Sequence, residues 1–295
     1  MHIALYNRVF EEEDIPFFKQ LFDAFRVHHI QPILFDDLAR SLGPVIQLPD
    51  TFDTFSESKP LPPKTKYVFS MGGDGTMIDT VKFVGRRKIP ILGINLGRLG
   101  FLAATGPEEI EFAIDALQKD AFQLDPRTLI HLDTSIPIFH EAPFALNEFS
   151  LHRKDSSSLI KIHTYLNGEF LCTYWADGLI VSTPTGSTGY SLSCGGPIIF
   201  PQANNFVITP VAPHNLNVRP IVVSDNSIIS FEVEGRADHF LCTLDARSEA
   251  IDSTVSLAVR REDFEINLIR LEGQNFLNTL QTKLFWGVDR RNYIN

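Results

Sequence analysis

The spacing of apolar residues changes near Gln123, and this change constrains the fold of the 295-residue chain more than any other feature. Before it, short apolar runs such as residues 67–71 alternate with helical patterns, for example Phe18, Leu21 and Phe25 at intervals of three and four. Strands that alternate with helices predict an α/β domain with a Rossmann-like parallel sheet. Residues 47–66, which are rich in proline, serine and threonine, are predicted to form a loop between these elements.

After Gln123, apolar and polar residues alternate with a period of two, as in Ile229, Phe231 and Val233. Asn167-Gly168 separates two such runs, which is typical of a hairpin turn. The pattern predicts a mostly antiparallel, all-β domain. Helical spacing returns over residues 274–286, which we expect to pack on the first domain. The predicted organisation is an α/β domain over residues 1–122 and 271–295 and a β-rich domain over residues 123–270.

Composition argues against several classes of protein. The chain has 36 acidic and 26 basic residues, for a net charge of −10, whereas proteins that bind nucleic acid need clustered Lys and Arg. Its three cysteines, Cys172, Cys194 and Cys242, form no C-x-x-C pair and are interpreted as reduced thiols. The sequence shows neither a signal peptide nor an apolar run that approaches the roughly 20 residues of a membrane span. We therefore expect a soluble, cytoplasmic protein that binds neither nucleic acid nor membranes.

A glycine-rich turn, Gly72-Gly73-Asp74-Gly75-Thr76, lies between a predicted strand and a predicted helix. Three glycines allow the backbone to approach a ligand closely, and the N–H groups at a helix start bind phosphate oxygens. The spacing is not that of a P-loop, and no lysine stands inside the turn, so a metal ion would have to supply the positive charge. The alternative is a purely structural turn in which Asp74 caps the helix.

Two shorter motifs are ambiguous when taken alone. Residues 97–102 also follow a predicted strand, and Phe101 fits either contact with a base or a place in the core. Asn147-Glu148 precedes another strand: a carboxylate accepts hydrogen bonds from ribose hydroxyls, and an amide binds the edge of a base. The same pair also fits an exposed turn.

Residues 177–197 are the most informative part of the chain. Between Ser182 and Pro197, seven of sixteen residues are Ser or Thr and four are Gly, a density that suits close hydrogen bonding to a polar ligand. Tyr190 offers a ring that can stack on a base. A flexible linker is disfavoured because apolar strand residues bracket the stretch on both sides.

Together, in this order and spacing, these motifs and residues 213–220 resemble the NAD kinase family. The resemblance runs from residue 67 to residue 247. The Gly-Gly-Asp-Gly-Thr turn alone also occurs in diacylglycerol and sphingosine kinases and, more loosely, in phosphofructokinases. The Thr-Pro-Thr-Gly-Ser-Thr run, followed by Tyr190 and Gly195-Gly196-Pro197, is much more specific. The resemblance implies the two-domain fold of NAD kinases.

The resemblance also implies roles for single residues. Asp74 is similar to the catalytic aspartate that faces the 2′-hydroxyl of the adenosine ribose of NAD, with Gly75 lining the dinucleotide beside it. Phe101 resembles the aromatic residue over the adenine. Asn147 would contact the adenine, and Glu148 the ribose hydroxyls.

The remaining implied roles fall into two sets. Other NAD-binding residues would include Asp177, an adenine pocket, and a wall on the nicotinamide side: Thr188, Gly189, Tyr190, Ser191, Leu192, Ser193 and Ala212. The phosphates of ATP would be held by the turn itself: Gly72, Gly73, Gly75 and Thr76.

The sequence departs from the family pattern at four positions. Position 189 is Gly where the family usually has Ala. Asp79 stands where many members have a basic residue, Trp175 where Arg or His is common, and Arg247 where a smaller polar residue is frequent. No role in the site is carried over to Asp79, Trp175 or Arg247.

The implied activity is transfer of the γ-phosphoryl group of ATP, with Mg²⁺ or Mn²⁺, to the 2′-hydroxyl of the adenosine ribose of NAD, giving NADP. Polyphosphate stays open as a donor, and a homodimer or homotetramer is expected. One alternative is a lipid kinase with the same glycine-rich turn, which the net charge and the polar Ser/Thr stretch oppose. The other is a sensor that binds NADP without turnover, for which an intact Asp74 would have no use.

Overall fold

The structure is a computed structural model that describes residues 1–97, 100–154, 159–235 and 239–286. The chain divides into two compact units, Met1–Pro126 with Ile266–Asn295, and Arg127–Glu265. The described helices are α1 (Ile15–Val27), α2 (Asp36–Leu42), α3 (Asp74–Val84), α4 (Ile110–Gln118), α5 (Tyr190–Ser193) and α6 (Phe276–Leu284). Within the described ranges, none of these helices is long and apolar enough to span a membrane.

The described strands follow in chain order. They are β1 (His2–Tyr6), β2 (Gln31–Phe35), β3 (Asp53–Phe55), β4 (Tyr67–Met71), β5 (Ile91–Ile94), β6 (Gln123–Arg127), β7 (Ile130–Thr134), β8 (Phe144–Ala145), β9 (Glu148–Arg153), β10 (Ile160–Leu166), β11 (Glu169–Ala176), β12 (Gly178–Ser182), β13 (Asn205–Val211), β14 (Ile221–Ser224), β15 (Ile229–Glu234), β16 (Phe240–Leu244), β17 (Arg247–Ile251), β18 (Leu257–Arg261) and β19 (Ile266–Arg270).

The first unit is built on a seven-stranded sheet with the order β3-β2-β1-β4-β5-β19-β6. β1 pairs in parallel with β2 and β4, and β5 pairs in parallel with β4 and β19. Every residue of β4 and β5 is buried, as expected for parallel strands covered on both faces. The sheet confirms the predicted α/β class.

The order of the strands brings three chain segments to one edge of this sheet. Parallel neighbours end on the same side, and ligands of open α/β sheets bind beyond these carboxyl ends. The segments that leave β1, β4 and β5 there begin with Asn7 and Arg8, with the turn of residues 72–76 and with residues 95–102. Within that last segment, Arg98 and Leu99 lie outside the described residues.

The second unit contains two six-stranded sheets, with the orders β11-β10-β15-β18-β7-β8 and β14-β13-β12-β9-β16-β17. All of their described pairings are antiparallel, which confirms the predicted all-β class. The alternation of Ile229, Phe231 and Val233 buries these side chains in one apolar core with Phe149 and Leu179 of the other sheet. Asn167 and Gly168 have φ values of 52° and 82° in the turn between β10 and β11, so the predicted hairpin is confirmed.

Two features differ from the sequence-based expectation. Residues 47–66 are not entirely loop, because β3 adds a short edge strand to the first sheet beside β2. The division between the units lies at Pro126 and Ile266, whereas the expected boundaries were residues 122 and 270. β6 and β19 explain this difference, since both belong to the first sheet although their sequences continue the strand-like pattern of the second unit. Alternation indicates a strand but not the sheet that it joins.

Candidate active site

The glycine-rich turn joins β4 to α3 and depends on the backbone freedom of Gly72. Gly72 has φ +145°, and a Cβ atom there would lie 2.4 Å from Thr76 Oγ1. Gly73 is the extended N-cap residue of α3, and Asp74 is the first residue of that helix. The N–H of Thr76 donates to Gly73 O (3.1 Å), whereas those of Asp74 and Gly75 come before the first helical hydrogen bonds and point outward, so they can bind phosphate oxygens.

The carboxylate of Asp74 joins the turn to the loop that follows β5. It accepts hydrogen bonds from the backbone N–H of Phe101 (2.9 Å), Leu102 (2.9 Å) and Ala103 (3.3 Å). The alternative that Asp74 only caps the helix is wrong, because the cap is Gly73 and the Asp74 side chain binds another loop. The two motifs that the sequence singled out separately, the turn and residues 97–102, therefore meet at one carboxylate.

Gly100 allows this contact. A Cβ atom at position 100 would lie 2.0 Å from Asp74 Oδ1 and 2.8 Å from its Cγ, which no ordinary packing permits. Phe101, the expected adenine contact, is half-buried, and its ring centroid lies 6.4 Å from that of Phe276 of α6. Lys283 Nζ of the same helix lies 5.9 Å from the Phe101 ring centroid. The ring is thus supported within the first unit by the C-terminal helix.

Arg8 is a candidate functional residue that the sequence analysis missed. Its Nη1 atom lies 3.3 Å from Asp79 Oδ2 and 4.0 Å from the point where a Cβ of Gly75 would stand. A guanidinium group therefore lies beside the glycine-rich turn, which contains no lysine of its own. Its position could be recognised only from the strand order: Arg8 follows β1, and β1 lies beside β4, the strand that leads into the turn.

In the second unit, Asn147 and Glu148 lie at the start of β9. Among the described residues, Asn147 Oδ1 and Glu148 Oε2 are buried atoms without a hydrogen-bond partner. A buried polar atom left in this way costs about 1–3 kcal/mol, so the pair is suited to a ligand that supplies hydrogen-bond partners. The alternative of an exposed turn is wrong, because both residues are half-buried.

Asp245, which the sequence analysis also missed, holds this pair in place. It is half-buried in the turn between β16 and β17, and it accepts hydrogen bonds from the backbone N–H of Leu146 (2.8 Å), Asn147 (2.8 Å) and Glu148 (3.1 Å). Burial, reinforced by the negative charge of Asp245, raises the pKa of Glu148 to about 8. In the sequence, Asp245 was one acidic residue among 36, and nothing in the spacing linked it to a segment 97 residues earlier.

The Ser/Thr-rich stretch folds into a 3-10 turn over Thr185–Thr188 and the single helical turn α5. Several of its hydroxyls are bound inside the protein: Ser187 Oγ donates to Pro184 O and accepts from Ile199 N, and Ser191 Oγ pairs with Thr209 Oγ1 at 2.8 Å. The high density of hydroxyls therefore stabilises a compact turn, rather than serving a ligand throughout as the sequence suggested. Within residues 185–193, the exposed or half-buried members are Thr188, Gly189, Tyr190, Leu192 and Ser193.

Tyr190 presents one face of its ring to solvent and stacks with the other on His152. The ring centroids lie 5.5 Å apart at an interplanar angle of 30°, and Tyr190 is 40% exposed. Burial lowers the pKa of His152, so its imidazole is neutral at pH 7. Asp177, close by, forms a two-point ion pair with Arg153, with Nε–Oδ1 and Nη2–Oδ2 distances of 3.1 Å. The arrangement is a rigid aromatic platform beside a fixed carboxylate.

Arg247, one of the positions that depart from the family pattern, has structural partners. Arg247 donates hydrogen bonds to the carbonyls of Ala142 and Phe144, and its guanidinium lies 5.6 Å from the Phe139 ring centroid. It therefore fixes the segment that leads to Asn147. Trp175 is exposed, and Ala212, the expected nicotinamide-side wall, is exposed with φ +44° at the end of β13.

Comparison with known proteins matches the two units to the two domains of one family. Residues 60–122 match the family model described as ATP-NAD kinase N-terminal domain, and residues 146–271 match the ATP-NAD kinase C-terminal domain. The NAD kinase of Cytophaga hutchinsonii is 48% identical over 293 residues, which cover 99% of this chain and 100% of that protein. The NAD kinase of Flavobacterium psychrophilum is 43% identical over 294 residues, again 99% and 100% of the two chains.

Two solved structures share the fold. A yeast NADH kinase in complex with NADH has a TM-score of 0.87 at 21% identity, covering 98% of this chain and 88% of that one. An NAD kinase from Archaeoglobus fulgidus in complex with ATP has a TM-score of 0.72 at 23% identity, covering 97% and 99%. At these identities the likeness concerns the architecture.

Proposed function

Because the chain belongs to the NAD kinase family and is itself an NAD kinase, we propose that Asp74 is the group that acts on the acceptor hydroxyl. The reaction transfers the γ-phosphoryl group of ATP to the 2′-hydroxyl of the adenosine ribose of NAD and yields NADP. The observation that carries the assignment is the carboxylate of Asp74, fixed by three backbone N–H groups next to a glycine-rich turn.

Asp74 acts by orientation first and by proton transfer second. Phosphoryl transfer depends chiefly on positioning and on charge neutralisation. A carboxylate is a weak base towards a ribose hydroxyl, so Asp74 orients the O–H bond and accepts the proton late, as the new O–P bond forms. Its hydrogen bonds to the loop keep it in one position while this happens.

The donor is held by the glycine-rich turn and by Arg8. The N–H groups at the start of α3 bind phosphate oxygens, and the guanidinium of Arg8 supplies the positive charge that the turn itself lacks. Asp79 keeps Arg8 beside the turn through their 3.3 Å ion pair. Asp79, which departs from the family pattern, thus positions Arg8.

The residues present fit a divalent metal ion that arrives with ATP. Among the described residues, no group of three or more His, Cys, Asp or Glu side chains forms a metal cage. Mg²⁺ in nucleotide sites is bound through one or two carboxylates plus the substrate's phosphates, and Asp74 is the carboxylate available at the turn. When bound, Mg²⁺ or Mn²⁺ neutralises charge on the phosphates.

The acceptor is held by the second unit. Asn147 Oδ1 and Glu148 Oε2, buried without partners in the described structure, would bind the adenosine of NAD, and Tyr190 would stack on its base. Thr188, Gly189, Leu192 and Ser193 line the same turn, while the buried Ser191 takes part through its backbone. Asp177 and Ala212 complete the proposed NAD-binding set.

The phosphoryl donor, the oligomeric state and the cellular location of the enzyme are further parts of the proposed function. Inorganic polyphosphate presents the same phosphate oxygens as ATP, and an assay with each donor identifies the one used. We propose a homodimer or homotetramer, which the exposed apolar Phe170 and Trp175 of edge strand β11 support and sedimentation velocity tests. A cytoplasmic location suits the three free cysteines, since thiols stay reduced there.

Asp74→Asn tests the assignment. The amide keeps one oxygen for the loop N–H groups but loses the charge that takes the proton, so turnover should fall about 10²–10⁴-fold. Turnover is measured as NADP formed from NAD and Mg-ATP, and NAD affinity is titrated separately. Asp115→Asn, at an exposed carboxylate of α4 that pairs with Lys119, is the matched control. If Asp74→Asn keeps turnover within about threefold, Asp74 is not the proton acceptor.

A further inference from the structure

Asp245 is attached to the segment of residues 146–148 by four backbone hydrogen bonds. Its carboxylate accepts from three consecutive N–H groups, those of Leu146, Asn147 and Glu148, and its own N–H donates to Glu148 O at 2.9 Å. Asp245 is half-buried and has φ +51°. A carboxylate that receives three charge-assisted hydrogen bonds fixes the conformation of the backbone that donates them.

The segment held in this way presents two unpartnered side-chain oxygens of the site. Asn147 Oδ1 and Glu148 Oε2 are buried, and within the described chain neither has a hydrogen-bond partner. A Cβ at Gly189 would lie 3.5 Å from Glu148 Oε2 and 3.8 Å from Asn147 Nδ2, so both side chains face the turn before Tyr190. Their direction is set by the backbone that Asp245 holds.

We propose that Asp245 is a positioning residue of the acceptor site, which fixes residues 146–148 and keeps the Glu148 carboxyl protonated, so that Glu148 donates its O–H to the adenosine of NAD. This inference rests on the proposed function of Glu148. It assigns Glu148 the role of donor, whereas the resemblance to the family implied only contact with the ribose hydroxyls.

The hydrogen bonds decide which of the two carboxyl groups carries the proton. Burial raises the pKa of both Asp245 and Glu148. Three N–H groups stabilise the charged form of Asp245, whereas Glu148 Oε2 has no donor within the described residues. Asp245 is therefore the charged member, and its charge adds to burial in holding the pKa of Glu148 at about 8.

The other titratable groups around Glu148 change charge outside the range from about pH 7 to about pH 9. Arg247 on the same hairpin as Asp245 stays positive, and Tyr190 on α5 has a pKa raised by burial above its ordinary value. His152, on β9 with Glu148, has a pKa lowered by burial. Burial also raises the pKa of Cys194, directly after α5, above its ordinary value. Among these groups, Glu148 is thus the one that titrates between about pH 7 and pH 9.

This arrangement makes NAD binding sensitive to alkaline pH. If only the protonated form of Glu148 binds NAD, affinity falls in proportion to the protonated fraction as the pH rises through the pKa of about 8. The expected loss is about tenfold between about pH 7 and pH 9. A Glu148 that only accepts hydrogen bonds as a carboxylate would bind NAD better at the higher pH.

The test is calorimetric titration of the enzyme with NAD alone, without ATP or metal, from about pH 6.5 to about pH 9.5. The wild type should lose about tenfold in affinity for NAD between about pH 7 and pH 9. Glu148→Gln should show no such loss, because its amide donates a hydrogen bond at every pH. Asp245→Asn should weaken NAD binding about tenfold and move the alkaline loss to lower pH, while KM for ATP stays within about threefold. Asp225→Asn, at a buried carboxylate paired with Arg261 elsewhere in the same unit, should leave the NAD profile unchanged.

The outcomes separate the inference from the proposed function. If the dissociation constant of the wild type for NAD changes by less than about twofold across this pH range, the proposed function stands and the inference about Glu148 and Asp245 is wrong. The same applies if the profiles of Asp245→Asn and wild type coincide. A wild type that binds no NAD at any pH overturns the proposed function itself. If Asp245→Asn does not fold, the comparison of wild type with Glu148→Gln decides.

Discussion

The Asp74 carboxylate shows how tightly single atoms are placed in the candidate site. It binds three N–H groups of one loop, and the missing side chain of Gly100 leaves the space that it occupies. A general base works only within hydrogen-bond distance of its proton, so the loop that positions the carboxylate matters as much as the carboxylate. At this scale, function depends on contacts of about 3 Å between residues 27 or more positions apart.

Gly100→Ala is therefore expected to lower turnover strongly without unfolding the protein. The added methyl group would stand 2.0 Å from Asp74 Oδ1, so the carboxylate or the loop must move, and a displacement of about 1 Å in such a site costs about 100-fold in rate. NADP formation at saturating substrates measures the effect. Gly97→Ala is the control, since no described atom lies within 4 Å of its added Cβ. Equal turnover of the two variants would contradict the steric argument.

Tyr190→Ala is expected to weaken NAD binding far more than ATP binding. Stacking of a base on an aromatic ring contributes about 1–3 kcal/mol, so the dissociation constant for NAD should rise about tenfold or more. Tyr190→Phe should retain most of the affinity because the ring still stacks on His152. Tyr165→Ala, at a half-buried tyrosine of β10 whose hydroxyl donates to Glu232, serves as the control. An unchanged NAD titration for Tyr190→Ala would remove the ring from the acceptor site.

At the scale of elements, the turn between β4 and α3 combines two glycines with different requirements. Gly72 adopts φ +145° against Thr76, whereas Gly73 is extended and has open space around its missing side chain. The conformation of the turn depends on the first glycine, and access of a ligand to the helix start depends on the second. The sequence alone does not distinguish the two glycines.

Substitution of each glycine by alanine should separate these roles. Gly72→Ala should lower the melting temperature and abolish measurable ATP binding, because its Cβ overlaps Thr76 Oγ1 at 2.4 Å in a backbone conformation that alanine rarely adopts. Gly73→Ala should keep the parental melting temperature but raise KM for ATP about tenfold, since its methyl group occupies the space proposed for phosphate oxygens. Thermal melts and initial rates measure both. A Gly73→Ala enzyme with parental KM would place the phosphates elsewhere.

At the scale of the whole molecule, the three cysteines all lie in the second unit, and burial raises the pKa of each thiol, that of Cys242 to about 12. The thiolate is the reactive form of cysteine, so little of it is present at neutral pH. The triple replacement of Cys172, Cys194 and Cys242 by Ser or Ala should keep kinase activity. In the wild type, iodoacetamide should label the folded enzyme slowly, as followed by mass spectrometry. Complete inactivity of a folded triple variant would show that a thiol takes part in the chemistry.

The sequence by itself determined the class of each unit and the local motifs. Hydrophobic periodicity, the Asn167-Gly168 turn and the strand–turn–helix context of Asp74 are properties of neighbouring residues, so they can be interpreted without knowing the fold. The position of the glycine-rich turn and the family resemblance followed from such local patterns. The structure confirms the two fold classes that these patterns predicted.

Only the tertiary structure decided which distant residues meet. Asp245 reaches Asn147 because β16 pairs with β9, and Arg8 reaches the turn because β1 lies beside β4. Strand order is set by packing of whole elements, and alternation of apolar residues does not indicate which strands become neighbours. For the same reason β6 and β19 could not be assigned to the first sheet from sequence. The unpartnered side-chain oxygens of Asn147 and Glu148 became visible only when burial and hydrogen-bond partners were known.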